Sequence, residues 1–348
     1  MNHIQINGRR IGPGFPAYVI AEISANHGQS FEKAVEIMKA AKAAGADAVK
    51  LQTYTPDTIT IDCGNKYFMI KGTIWNGRNL YKLYGEAYTP WDWQPKLKKI
   101  ADKLKIDLFS TPFDFSSVDF LEKMNVPAYK IASFELVDIP LIRKVARLGK
   151  PVIMSTGMAT MQEIREAVRA VKSEGNNQIA LLKCTSEYPA DPRDMNLKTI
   201  PDMQKRFGAV VGISDHTLGI AASVAAVTLG ACIIEKHLTI SRKEPGPDIS
   251  FSLEPSELKE LVDEVRTVES ALGKISYSFS EKEKATRVFR RSLFAVKDIK
   301  KGEKFSPENI RSIRPGYGLA PKYYDMVIGK TAKKDIKFGT PLSLTLIK

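Results

Sequence analysis

Eight short runs of apolar and β-branched residues, near 18–24, 48–54, 107–113, 128–134, 151–157, 179–185, 209–216 and 232–238, each end abruptly in polar side chains. Between most of them lie stretches of helical period, such as 31–42, 161–172 and 256–272. Strand-length runs alternating with amphipathic stretches read as βα units. Eight of them predict a (β/α)8 TIM barrel of the α/β class. An open doubly wound sheet is the competing fold, but no GxGxxG follows the first run. The helix expected over 256–272 carries a capping pattern at Ser256, just after Pro255.

Ile4-Gln5-Ile6-Asn7-Gly8-Arg9-Arg10-Ile11 precedes the first unit and reads as a β-hairpin, with Asn-Gly at the turn. Residues 55–89, after the second strand, are too many for a simple βα turn. Such an insertion opens on the face where barrels hold their sites, so a substrate-facing role is expected. The barrel pattern ends near Gly273. The expected organisation is a barrel domain with its hairpin over 1–275, a polar linker over 276–288 and a small, mostly β domain over 289–348. A unit of that size sits near the lower limit for folding alone, so docking on another surface is expected.

The small domain is also where the charge lies. Residues 282–348 hold 17 Lys and Arg against 6 Asp and Glu, a surplus of 11, while the rest of the chain carries only +2 of the total +13. A basic tail raises nucleic acid or an anionic substrate as its target. The tail's tyrosines, Tyr317, Tyr323 and Tyr324, cluster rather than interleaving with the basic residues, which argues against nucleic acid. No run approaches the ~20 apolar residues of a membrane helix, and the N-terminal stretch lacks the shape of a secretory signal. Cys63, Cys184 and Cys232, odd in number and without CxxC spacing, argue against a disulfide framework. A cytoplasmic location is expected.

The polar residues at the strand ends carry the chemistry. They are Glu22, Ser24, Asn26 and His27; Lys50, Gln52 and Thr53; Ser110 and Thr111; Lys130, Ser133 and Glu135; Ser155 and Thr156; Thr185 and Ser186; Ser214, Asp215 and His216; and Glu235 with His237. Lysines among hydroxyls make an anion site, the amine supplying charge and Ser or Thr supplying directional donors. His216 and His237, two of only four histidines, end consecutive strands and suit a divalent metal with positions left open. Glu22, alone among apolar neighbours in sequence, suits a carboxylate of tuned basicity. Together these suggest a phosphorylated substrate and carbonyl chemistry. A Schiff-base aldolase using Lys50 or Lys130 is the competing enzyme class, though it leaves the histidine pair without a task.

Ala21-Glu22-Ile23-Ser24-Ala25-Asn26-His27-Gly28, Val49-Lys50-Leu51-Gln52-Thr53, Tyr129-Lys130-Ile131-Ala132-Ser133-Phe134-Glu135, Ser155-Thr156-Gly157-Met158, Ser214-Asp215-His216, Glu235-Lys236-His237 and Gly246-Pro247-Asp248 resemble the sialic acid synthase family nearly end to end. The tail, with Arg314-Pro315-Gly316, is similar to that family's antifreeze-like (SAF) domain. The stretch 68–91 looks most like the pseudaminic acid synthase branch, with N-acetylneuraminate and legionaminate synthases sharing the core motifs.

The resemblance implies condensation of phosphoenolpyruvate with the aldehyde of an acetamido sugar, giving a nonulosonic acid and phosphate by C–O cleavage. The sugar it points to is 2,4-diacetamido-2,4,6-trideoxy-L-altrose. By the same resemblance His216 and His237 hold Mn2+ or Mg2+, which polarises the aldehyde, and Glu22 serves the water that adds at carbon 2. Lys50, Thr111, Lys130, Ser133, Ser155, Ser186 and Ser214 would bind phosphoenolpyruvate; N-acetylneuraminate synthases tend to place asparagine where Ser186 stands. Gln52, Glu135, Tyr188, Glu235 and Asp248 would contact the sugar or metal-bound water. Arg314 would reach the site from the partner of a domain-swapped homodimer, with the basic tail forming a lid over an anionic site. Neither nucleic acid nor a membrane is an expected partner.

Overall fold

The computed structural model describes residues 3–348; Met1 and Asn2, at the head of the N-terminal stretch considered above, lie outside it. The hairpin forms as its turn dictates. β1 (Ile4–Ile6) pairs antiparallel with β2 (Arg9–Ile11). Asn7 and Gly8 both take positive φ, 45° and 81°, as a two-residue turn requires. Period-two alternation then sends Ile4, Ile6 and Ile11 into the main core. Burial of each contributes roughly 1.5–3 kcal/mol.

Eight parallel strands follow: β3 (Tyr18–Glu22), β4 (Ala48–Thr53), β5 (Asp107–Pro112), β6 (Tyr129–Ile131), β7 (Val152–Ser155), β8 (Ile179–Cys184), β9 (Val210–Asp215) and β10 (Ile233–His237). They close into a barrel in which β10 pairs with both β9 and β3. The expected TIM barrel is therefore the observed fold. The helix Phe31–Ala43 starts where the Ser30 side chain accepts from Lys33 N, and Met161–Ser173 where Thr160 and Glu163 cap one another.

The helix expected from Ser256 begins earlier, at Pro255–Leu272, with Glu254 as its N-cap. Glu254 N donates to Glu257 Oε2 at 2.8 Å. Proline lacks the N–H that a first turn leaves unused, so Pro255 takes the first helical position and the cap moves one residue before it.

The insertion after β4 has structure of its own. It carries the helices Pro56–Ile59 and Leu80–Ala87, with a bridge between Met69 and Asn79.

The described residues divide into two compact units after Gly273. The stretch expected to be a plain linker contains the helix Glu281–Thr286, because Ser280 and Glu283 cap each other across its first turn. In the second unit β11 (Ser292–Ala295) pairs antiparallel with β12 (Ile310–Ile313), and four single bridges extend the pairing. Its core is separate, built on Leu293, Ile299, Phe305, Ile310, Val327 and Leu342. No helix among the described residues is long and apolar enough to cross a membrane.

Candidate active site

Strand alternation decides which of the polar strand ends meet. Along β10, Glu235 and His237 share one face and Lys236 takes the other; along β9 and its exit, Ser214 and His216 oppose Asp215 in the same way. The face carrying Glu235 and His237 also receives Glu22, Lys50 and Lys130. Glu22 is in register with Lys50 of β4 on one side and with His237 of β10 on the other.

The centre is a four-charge cluster buried almost completely. Glu22, Lys50, Lys130 and Glu235 are 1%, 3%, 2% and 4% exposed, so each charge depends on the others for compensation. Lys50 Nζ lies 2.5 Å from Glu22 Oε2 and 3.5 Å from Glu235 Oε1, while Lys130 Nζ lies 3.6 Å from that same Glu235 oxygen. Two ammonium groups face two carboxylates.

Burial raises the Glu22 carboxyl above its ordinary value, with Lys50 pulling the other way. Glu235 goes down: burial opposes the change, but Lys130 and Lys50 outweigh it. Burial works against the charge on Lys50, yet Glu22 and Glu235 hold its proton more firmly than usual. Burial lowers Lys130 despite Glu235.

Hydroxyls surround the two amines. Lys50 Nζ donates to Thr111 Oγ1 at 3.1 Å, Lys130 Nζ donates to Ser155 Oγ at 2.7 Å, and Ser214 Oγ donates to Glu235 Oε1 at 3.3 Å. Gly157 N donates to Ser133 Oγ at 3.1 Å. A Cβ on Gly157 would collide with Ser186 Oγ and would come within 2.7 Å of Ser133 Oγ, so glycine lets the three residues close into one cradle. Charge from lysine with direction from hydroxyls is a combination that can hold an anion.

The histidines stand beside it. His216 Nδ1 lies 3.0 Å from Thr185 O; as a carbonyl can only accept, Nδ1 carries a proton, so in the neutral ring Nε2 holds the lone pair. His237 Nδ1 is buried without a partner. Burial and the charge of His216 hold His237 well below the ordinary histidine value. The two ring centroids are 5.4 Å apart. Among the described residues no three His, Cys, Asp or Glu side chains form a closed metal cage. A two-histidine site with open positions nevertheless fits this donor set: one nitrogen is left available by its tautomer and the other is an orphan.

On the outer side Gln52 Nε2 donates to Ser24 Oγ at 3.0 Å, and Ser24 Oγ donates to Asp248 Oδ2 at 2.5 Å. Burial raises Asp248 above the usual aspartate value. Burial also brings Glu135 up to about 7 and leaves its Oε2 unpartnered. The Tyr188 ring lies 4.4 Å from that of His216 and 5.2 Å from that of Phe251.

Other strand-end residues serve the scaffold. His27 Nε2 meets Thr89 Oγ1 at 3.1 Å, Thr53 Oγ1 meets Gln94 and Ser110, and Asn26 Nδ2 donates to Leu238 O and Ser252. Asp215 and Lys236 pair at 2.9 Å on the faces opposite the histidines. Arg314 lies in the second unit, exposed and without a hydrogen bond or ion pair to another described residue.

The sequence analysis missed Cys184, Trp75 and Phe251. Cys184 Sγ is 3.9 Å from both Ser186 Oγ and His216 Nδ1. Burial opposes its ionisation, but His216 draws the thiol down to about 7. Strand parity, two residues before Ser186, was the signal that could have found it.

Residues 37–277 match the NeuB family and residues 290–348 the SAF domain. A pseudaminic acid synthase of Campylobacter jejuni is 48% identical over 93% of this chain and 95% of its own length. One of Helicobacter pylori is 43% identical over 94% and 97%. Among solved structures, the spore coat polysaccharide biosynthesis protein spsE of Bacillus subtilis superposes with a TM-score of 0.68 at 35% identity, covering 100% of this chain and 99% of that one. A family match over most of the barrel, a second over the tail and 48% identity over 93% of the chain make this chain a member of the NeuB family.

Proposed function

We propose that this chain condenses phosphoenolpyruvate with the open-chain aldehyde of 2,4-diacetamido-2,4,6-trideoxy-L-altrose, forming pseudaminic acid and phosphate. The observation that carries the chemistry is the pair of buried lysines on a hydroxyl cradle, set against two histidines with available nitrogens. The choice of sugar follows the relatives named pseudaminic acid synthases. N-acetylneuraminate and legionaminate synthesis are the neighbouring alternatives.

Lys50, Thr111, Lys130, Ser133, Ser155, Ser186 and Ser214 would hold the phosphate and carboxylate of phosphoenolpyruvate. Its entry adds negative charge to a cluster in which Glu22 and Glu235 already balance both lysines, which makes the already raised Glu22 carboxylate a stronger base. Gln52, Glu135, Tyr188, Glu235 and Asp248 would orient the sugar. A divalent ion, Mn2+ or Mg2+, held by His216 and His237, would supply Lewis-acid polarisation of the aldehyde.

Carbon 3 of phosphoenolpyruvate bonds to the aldehyde carbon as the C=O π pair moves onto the aldehyde oxygen, which takes a proton, leaving carbon 2 as an oxocarbenium-like centre. Glu22, between His237 and Lys50, would stabilise that centre and take a proton from the water adding there. The resulting tetrahedral carbon expels phosphate by breaking its C–O bond.

The proposal includes a domain-swapped homodimer in which Arg314 of one subunit completes the partner's site. It is supported by the partnerless Arg314, by the tail's charge surplus, and by Ile275 and Tyr277, which at 94% and 96% exposure lie bare in the single chain. Three free cysteines accord with a cytoplasmic setting. One observation favours the Schiff-base aldolase: Lys130 loses its proton more readily than an ordinary lysine. Covalent trapping on Lys50 or Lys130 by borohydride would establish that reading.

The main test is phosphate release from phosphoenolpyruvate with the diacetamido trideoxy sugar and with N-acetylmannosamine. Faster release with the former is expected; preference for the latter would overturn the pseudaminate assignment.

A further inference from the structure

Trp75 of the insertion carries an inference that reaches the acceptor's far end. A cavity of about 760 Å³ opens between Ile74, Trp75 and Arg78 of the insertion and the loop at Gly246 and Pro247 beyond β10. Trp75 Nε1–H donates to Pro247 O at 3.3 Å, next to Asp248. The same indole packs on Tyr188 with centroids 5.6 Å apart, and Tyr188 lies 4.4 Å from His216. Rings lead stepwise from the cavity to the histidine pair.

The polar groups of this cavity are largely committed. Arg78 and Glu86 pair with each other at 2.5 Å, and the indole N–H is taken by Pro247. What Trp75 has left for a ligand is its carbon face, which receives C–H and methyl groups rather than hydroxyls. A sugar whose aldehyde lay at His216 and His237 would reach this face by extending outward past Tyr188.

The geometry points to Trp75 as a specificity-determining residue that packs against the deoxygenated end of the acceptor, a methyl where a related sugar has a hydroxymethyl. This rests on the condensation proposed above. A wall that offers an added hydroxyl no partner discriminates against it by up to about a hundredfold, so a graded preference is expected rather than exclusion.

The test uses the full-length wild type, Trp75→Ala and Trp75→Phe. Phosphate release from phosphoenolpyruvate is measured with the trideoxy sugar and with its 6-hydroxy counterpart, 2,4-diacetamido-2,4-dideoxy-L-altrose. Trp75→Ala should raise the KM for the trideoxy sugar about tenfold or more and cut the preference between the two sugars by a similar factor. It should leave the KM for phosphoenolpyruvate within about twofold, because the anion cradle is untouched. Trp75→Phe retains an aromatic face and should retain the preference. Equal losses on both sugars would reduce Trp75 to a prop for Tyr188, and unchanged kinetics on both would remove it from the site; either overturns the inference. A wild type that releases phosphate with neither sugar overturns the condensation itself, whereas an active wild type with an indifferent Trp75→Ala overturns only the role of Trp75.

Discussion

Glu22 and Lys50 are direct partners across the β3–β4 ladder, and their charged ends meet 2.5 Å apart. Register puts the contact there, and burial gives it force, because neither group has water to fall back on. The same lysine also lies 3.5 Å from Glu235, so it serves two carboxylates at once. Neutralising one partner is a different experiment from removing the cation.

Glu22→Gln keeps the size of the side chain and an oxygen for the 2.9 Å bond from Ser24 N, and Lys50 keeps Glu235. The variant should fold normally by circular dichroism while turnover falls about 10²–10⁴-fold, the range for losing a positioned acid–base group. Near-normal turnover would refute the role given to Glu22. Lys50→Met should instead cost about 3–5 kcal/mol in urea unfolding, since it strands the buried Glu22 and leaves Glu235 with Lys130 alone.

The proton on Glu135 predicts a pH effect of definite sign. Burial moves this carboxyl from its ordinary 4.5 up to about 7, with Asp138 adding to the rise and Lys130 and Lys50 opposing it. Between those values the folded protein holds a proton that the unfolded chain has lost. The contribution of Glu135 to stability therefore falls as pH rises through this window and is level on either side of it. Glu135→Gln should gain on the wild type in unfolding free energy as pH is raised from 4.5 to 7. A wild-type-to-variant difference that does not change with pH would show that the carboxyl is not raised.

Asp215 and Lys236 show how much of this site the sequence could and could not tell. Eight polar-ended runs located the barrel and its catalytic mouth, and the period-two pattern sorts inward from outward residues once the strand bounds are known. What pairs with what was not legible: Ser-Asp-His and Glu-Lys-His look alike in sequence, and only the β9–β10 register joins the middle residues as a buried ion pair. Glu22 likewise looked solitary, because its partner lies on the next strand. Trp75 was hidden in an insertion whose path depends on tertiary contacts, and no local pattern announces a contact with Tyr188.

That outward pair yields its own prediction. Its side chains are 0% and 1% exposed, and Asp215 also accepts from Thr217 and Ser223. Lys236→Met should destabilise by about 3–5 kcal/mol in urea, and adding Asp215→Asn should recover part of the loss, since no unpaired charge is then left inside. Additive losses in the double variant would mean the pair is not coupled.

The metal role proposed for His216 and His237 predicts that the reaction requires a divalent ion. Protein freed of divalent ions by a chelator should release no phosphate from phosphoenolpyruvate and acceptor, and Mn2+ or Mg2+ should restore release. His237→Ala should not be restored at the same metal concentration. Full activity in the metal-free protein would end the assignment.

The shared site is tested by mixing two inactive proteins. Arg314→Ala and Glu22→Gln damage different parts of the proposed composite site, one from each subunit. In a hybrid dimer one site carries both substitutions and the other carries neither. If subunits re-pair at random, half of the dimers are hybrids with one intact site each, so about a quarter of wild-type turnover should return. Unlinked sites would give no recovery in any mixture, because every barrel would then carry its own substitution beside its own tail. Subunit exchange shown independently by mass-tagged chains, with turnover still absent, would therefore place Arg314 and Glu22 of one chain in the same site and refute the swap.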